Sequence, residues 1–158
     1  ARENRPYYYH TVIGYNYRMS NVCAGIGVGQ MDVLQQHVDR RRTIHDLYTW
    51  ALDTMGGLSV QQNPSDSFHS NFWLSTLLID PATGHTPDEL RLALADRNIE
   101  SRLLWRPMHM QPVFADAPYY GNNIEDELFG RGLCLPSGSV LSDADINRVT
   151  EAIKCVMA

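Results

Sequence analysis

Behind Ser20, apolar residues recur at helical spacing: Val22, Ile26, Leu34, Val38, Ile44, Leu47, Tyr48, Ala51 and Met55. Ser20 is a good N-cap and Gly56-Gly57 supplies a stop. The pattern predicts one helix running to Met55, roughly 50 Å long at about 1.5 Å per residue. A helix of that length crosses between two bodies or lies against a partner. The stretch that launches it, Gly14-Tyr15-Asn16-Tyr17-Arg18-Met19-Ser20-Asn21, is turn-forming, polar and aromatic, which marks a site at the helix start.

The remaining pattern alternates between strand and helix. Residues 1 to 13 show neither period and read as an irregular lead-in, and Ser59 to Ser70 reads as loop. Phe72 to Ile79 is an apolar run closed by Asp80-Pro81, the mark of a buried strand. Thr86-Pro87-Asp88-Glu89 is a helix start with a capping box, followed by inward Leu90 and Leu94 and an end at Asn98. Ile99 to Trp105 predicts a second strand. Arg106 to Pro112, with two prolines, predicts an irregular loop. A short helix over Ile124 to Phe129, a strand over Leu133 to Pro136 and a last helix capped by Ser142 complete the order. Ile146, Val149, Ile153 and Met157 form the inner stripe of that last helix. The class is α/β (α+β layered), a small sheet covered by helices with a long N-terminal helix.

Composition narrows the chemistry. The chain has 158 residues, 44% hydrophobic, enough for one domain with its own core. A net charge of -5 gives no footprint for nucleic acid or an anionic membrane, and no apolar run reaches membrane-spanning length. Cys23, Cys134 and Cys155 each lie in an apolar pattern. They read as buried free thiols in a reducing compartment, the cytoplasm. Of 13 basic residues only Lys154 is a lysine, so an amine nucleophile has a single candidate.

Gly25-Ile26-Gly27-Val28-Gly29 departs from a dinucleotide fingerprint: the third glycine comes early and no strand precedes it. The glycines read as small residues inside a helix that let another helix approach closely. His37 and His45 are about 80° out of phase on the long helix, and no metal-binding motif occurs, so no metal is expected. His109 sits in the proline-framed loop, where a stiff backbone can aim an imidazole or simply pack one. Lys154 shares a face with Asn147 and Glu151 opposite the apolar stripe, and reads as a solvated partner of Glu151. Asn16 and Arg18, next to a helix N-terminus, form an anion cradle or else a turn amide and a surface cation.

These residues carry a resemblance. Gly14-Tyr15-Asn16-Tyr17-Arg18-Met19-Ser20-Asn21 with Ala24-Gly25 and Gly29-Gln30-Met31 resembles the G-x-N-x-R-M segment of the DegT-type nucleotide-sugar aminotransferases. Ser70-Asn71-Phe72-Trp73, Asn98 to Arg102, Trp105 to Phe114 and Leu133 to Gly138 follow in the same order. The Trp-Arg-Pro-Met-His form is most similar to members that aminate a 4-keto sugar on a UDP carrier. The resemblance implies the C-terminal domain of a fold-type I transferase that uses pyridoxal phosphate and works as a homodimer. Residues 1–21 would then be linker and phosphate-contact loop, and residues 22–158 the domain. It also implies that Asn16, with Arg18, lies at the cofactor phosphate of the neighbouring subunit. His109, with Arg102 and Arg106, would lie near the nucleotide sugar. Each arginine read alone is equally a strand-edge surface cation.

The family's Schiff-base lysine and the acid that partners the pyridine nitrogen belong upstream of Ala1, and Lys154 does not replace the lysine. The chain therefore reads as a fragment that has no catalytic residue and is inactive alone. Its partner is the N-terminal cofactor domain of the same protein, and its amino donor is glutamate. Two other readings remain open: a sugar dehydratase of the same family, and a small-molecule or assembly module without chemistry.

Overall fold

The computed structural model describes residues 2–157. Nine elements make the frame: α1 (Asn21–Met31), α2 (Leu34–Leu52), β1 (Leu58–Val60), β2 (Ser75–Ile79), α3 (Pro87–Ala95), β3 (Arg102–Leu103), α4 (Ile124–Arg131), β4 (Gly132–Leu135) and α5 (Asp143–Met157). The sheet order is β1-β2-β4-β3, antiparallel throughout. One face of the sheet is apolar because side chains alternate along each strand. Leu77 lies between Val60 and Leu133 in register, and Ile79 pairs Leu58. Against that face pack Ile44, Tyr48 and Leu52 of α2, Leu90 and Leu94 of α3, and Ile146, Val149 and Ile153 of α5. The predicted layered α/β class holds. Tyr48 is fully buried and its hydroxyl donates to the Pro136 carbonyl at 2.9 Å; burial pushes its phenol far above the usual range.

The single long helix does not survive. It is interrupted at Asp32-Val33, where the Val33 N–H reaches back to the Gln30 carbonyl at 3.3 Å and His37 restarts on the Val33 carbonyl at 3.2 Å. Val33 brings no side-chain cap to α2. The two halves have different fates. The second carries Ile44, Tyr48 and Leu52 into the core, whereas no residue of α1 is buried and Val22 and Ile26 are exposed. Three glycines lower the helix propensity of α1. A Cβ added at Gly25, Gly27 or Gly29 would touch nothing within 4 Å, so these glycines admit no neighbour from this chain.

Other boundaries move for local reasons. β2 starts at Ser75 because Phe72 adopts φ 42°, in a turn held by the Ser70 hydroxyl and the Asn71 carboxamide. β3 shrinks to Arg102–Leu103, an edge strand paired only with β4. The loop expected from Ser59 hides the end of β1, whose Leu58 and Val60 are buried on either side of exposed Ser59. Gly57 turns the chain from α2 into β1 at φ 82°, where a side chain would also strike Thr83. The capping box of α3 forms as expected: the Glu89 N–H donates to the Thr86 hydroxyl at 3.2 Å and the Thr86 N–H to the Glu89 carboxylate at 2.9 Å. Of the three cysteines expected to be buried, only Cys134 is; Cys23 and Cys155 are exposed. Cys23 follows α1 out of the core. Among the described residues no helix is long and apolar enough to cross a membrane.

Leu77→Ala should cost about 2–5 kcal/mol in urea unfolding, as expected for a central buried leucine. Ile26→Ser in the same chain should change stability by no more than about 0.5 kcal/mol. At the start of α5, the Ser142 hydroxyl and backbone N–H hold the Asp145 carboxyl below its ordinary value. A depressed folded pKa gives stability that is present above the unfolded value and lost as pH falls through the folded one. Ser142→Ala keeps the backbone N–H but loses the hydroxyl, so it should raise the Asp145 pKa in an NMR titration and weaken that acid-side dependence.

Candidate functional site

The first candidate group lies on an arm. From Thr11 to Val22 every residue is exposed. Asn16 makes an Asx turn, its side-chain oxygen accepting the Arg18 N–H at 3.0 Å. Tyr17 and Arg18 take the left-handed conformation at φ 57° and 63°. The Ser20 hydroxyl then caps α1 by accepting the Cys23 N–H at 3.2 Å. An amide and a guanidinium are thus presented within one turn of a helix N-terminus, where anions are favoured. Among the described residues, no hydrogen bond or ion pair links Asn16 or Arg18 to Arg102, Arg106 or His109.

The second group lies on the loop between β3 and α4. His109 sits in a single 3-10 turn, Met108–Met110. Its ring faces α4: Nε2 is 2.8 Å from the Asp126 carboxylate, out of line for a hydrogen bond, and Nδ1 is 3.7 Å from Glu125. Tyr119 packs on the imidazole with ring centres 4.3 Å apart and donates its hydroxyl to Glu125 at 2.7 Å. Glu125 is held below the usual carboxylate range by its own backbone N–H and by the Tyr119 hydroxyl, with the His109 charge adding to both. Partial desolvation raises the Tyr119 phenol. Both ring nitrogens of His109 thus stand beside carboxylates of α4, and Tyr119 packs on the ring, so the orientation of the imidazole is set by that helix and its lead-in loop.

The two arginines differ. Arg106 is built in: its Nε donates to the Met110 carbonyl at 3.1 Å and its guanidinium lies 5.3 Å from the ring centres of both Tyr7 and Tyr9. Arg102 extends from the outer sheet face and pairs with Glu100 at 2.6 Å, which raises its pKa further. Thr76, Cys134 and Arg102 form one row across that face. Burial pushes the Cys134 thiol up, which disfavours the nucleophilic thiolate. Cys134 and Arg102 of that row line a groove of about 410 Å³ together with Trp73, Trp105 and Tyr8. Tyr8 and Trp105 lie nearly parallel with centres 6.1 Å apart.

Two features escaped the sequence. Tyr8, Trp73 and Trp105 are scattered along the chain, and only folding makes them one wall. Gln111 is 2% exposed, although nothing in a glutamine between Met and Pro advertises burial. Lys154 is where the sequence put it, 2.9 Å from Glu151 on α5. Among the described residues, no three His, Cys, Asp or Glu side chains are grouped to hold a metal ion.

Known proteins share both the sequence and the fold. The DegT/DnrJ/EryC1/StrS aminotransferase family matches residues 1–154. EpsN of Bacillus subtilis (strain 168), a presumed pyridoxal phosphate-dependent aminotransferase, is 41% identical over 157 residues, covering 97% of this chain and 40% of EpsN. GDP-perosamine synthase of Escherichia coli O157:H7 is 36% identical over 146 residues, 92% of this chain and 38% of that protein. Among solved structures, DesI in the presence of its TDP-sugar product superposes with a TM-score of 0.75 at 25% identity, covering 88% of this chain and 36% of DesI. The chain therefore spans about 40% of the length of the curated relatives it matches. On that evidence it belongs to the DegT/DnrJ/EryC1/StrS aminotransferase family.

Proposed function

We propose that this chain is the C-terminal domain of a pyridoxal-phosphate enzyme that moves an amine, with glutamate as donor, onto a keto group of a nucleotide-linked sugar. The carrying observation is the arm: Asn16, Arg18 and the α1 N-terminus are displayed where nothing else in the chain covers them. Relatives named GDP-perosamine synthase and a solved relative with a TDP-sugar product support the substrate class. Bound pyridoxal phosphate supplies the electron sink and holds the amine between donor and acceptor.

The residues present fit part of that cofactor. The side-chain oxygen of Asn16 is already used by Arg18, which leaves its amide N–H and the guanidinium to face a phosphate. The reactive amine has no candidate here, because Lys154 stands on the surface of α5 paired to Glu151. It comes from the N-terminal domain of the same protein, and the chain by itself is inactive. The exposed apolar side chains Tyr15, Met19, Val22, Ile26, Val28 and Met31 are then the contact surface for that domain and for the second subunit of a homodimer. His109 on its loop, together with Arg102 and Arg106, orients the sugar nucleotide.

Pyridoxal phosphate added to the isolated chain should give no protein-dependent visible absorbance. A band that disappears in Lys154→Ala would overturn the surface assignment. In the full-length enzyme, Asn16→Ala should remove a hydrogen bond to a charged group, about 1.5–3 kcal/mol. Cofactor affinity should fall about tenfold or more in an equilibrium titration. His109→Ala should raise KM for the nucleotide sugar while leaving cofactor affinity unchanged. Failure of the full-length protein to aminate any keto-sugar nucleotide would refute the proposal.

A further inference from the structure

The chain brings two distant segments together through one side chain. Gln111 is buried, yet it is a long polar residue that belongs on a surface unless its amide is satisfied. Its Oε1 accepts the His10 N–H at 2.9 Å, and its Nε2 donates to the Tyr8 carbonyl at 3.0 Å and to the Arg106 carbonyl at 3.2 Å. Three of the four hydrogen bonds open to the amide are made, and all go to backbone. The orientation is fixed by chemistry, because the oxygen must face the N–H and the nitrogen the two carbonyls.

Each side it joins is a small closed unit. On one side, Glu3 donates its N–H to the Tyr9 carbonyl at 2.9 Å, and Arg2 and His10 form a single antiparallel bridge. On the other, the 106–111 loop closes on itself. Met110 N–H bonds to the Pro107 carbonyl at 3.1 Å, Gln111 N–H to the Met108 carbonyl at 3.0 Å, and the Arg106 side chain to the Met110 carbonyl. Contacts around the amide reinforce the join. Val113 donates to the His10 carbonyl at 3.2 Å, Tyr8 lies parallel to Trp105, and Arg106 stands over Tyr7 and Tyr9. The lead-in runs directly into the Asn16 arm, and the loop carries His109.

We infer that Gln111 is a positioning residue whose buried amide fixes the lead-in to the Asn16 arm and the Arg106–His109 loop in one register, so that the two move as a unit. Its meaning for catalysis rests on the function proposed above: the phosphate side and the sugar side of the pocket would be set together. The join itself stands without that function, and is tested on the chain as it is. Gln111→Met keeps the length and removes both hydrogen-bonding ends. Amide exchange should accelerate at least tenfold at Glu3 and His10 on one side and at Met110 and Gln111's own position on the other. Exchange in α2 and α5 should stay unchanged. Trp105 emission should shift as Tyr8 leaves it, read in a background of Trp50→Phe and Trp73→Phe. Should Gln111→Met fail to fold, Gln111→Glu, of the same length but without the donors, must show the same paired opening. Acceleration on one side only, acceleration spread evenly over the whole chain, or no acceleration overturns the inference. An inactive full-length enzyme would leave these exchange results standing and would refute only the proposed function.

Discussion

A sheet has two faces, and this chain brings a helical layer to only one of them. Leu77, Ile79, Leu133 and Leu135 turn to α2, α3 and α5, and all four are almost completely buried. That burial is what makes the domain fold, since each such side chain contributes about 1.5–3 kcal/mol when removed from water. The opposite face carries Thr76, Cys134 and Arg102, and it is covered only in part, by Tyr8, Trp73 and Trp105. Of the candidate residues, Arg102 stands on that face. The core therefore fixes the site indirectly, by deciding which face of each strand is left for other work.

The same separation explains what was legible in the sequence. Where a pattern is closed by local chemistry, it could be read. The Thr86–Glu89 box starts α3 within one turn, and the Ile146, Val149 and Ile153 stripe of α5 meets a core that wants it. Where the outcome depends on packing partners, the pattern misled. Val22 and Ile26 continue the apolar spacing of α2, but spacing cannot say that Ile44 finds the sheet while Ile26 finds nothing in this chain. Cys23 is exposed for the same reason, whereas Cys155 is exposed because it lies about 180° round α5 from Ile146 at roughly 100° per residue. β1 was lost because three residues carry too little alternation to outweigh the polar stretch after them.

The candidate site shows a comparable division. Asn16 and Arg18 were visible because an amide, a guanidinium and a helix start fall within a few residues. His109 was visible because prolines frame it. What sequence could not supply is their surroundings. The carboxylates of Glu125 and Asp126 beside the imidazole come from α4, and no spacing in the sequence places them against His109. Arg102 and Arg106 looked alike as strand-edge cations, yet one is tied to Glu100 across the outer face and the other is packed between tyrosines. A substitution that preserves charge would be tolerated far better at Arg102 than at Arg106, where the planar guanidinium is what the two rings contact.

The apolar arm and the solvated lysine are two expressions of one fact. Tyr15, Tyr17, Met19, Val22, Ile26, Val28 and Met31 are exposed along one segment, a large apolar surface of the kind that marks an interaction site. Lys154, the one lysine of the sequence, is paired to Glu151 on α5. Under the proposed function each observation calls for more protein, and the matched relatives are about two and a half times longer than this chain. The surface that must be covered and the group that must be supplied then arrive together. Under the function proposed above, docking on the arm would bring a reactive amine to the side where Asn16 and Arg18 are displayed.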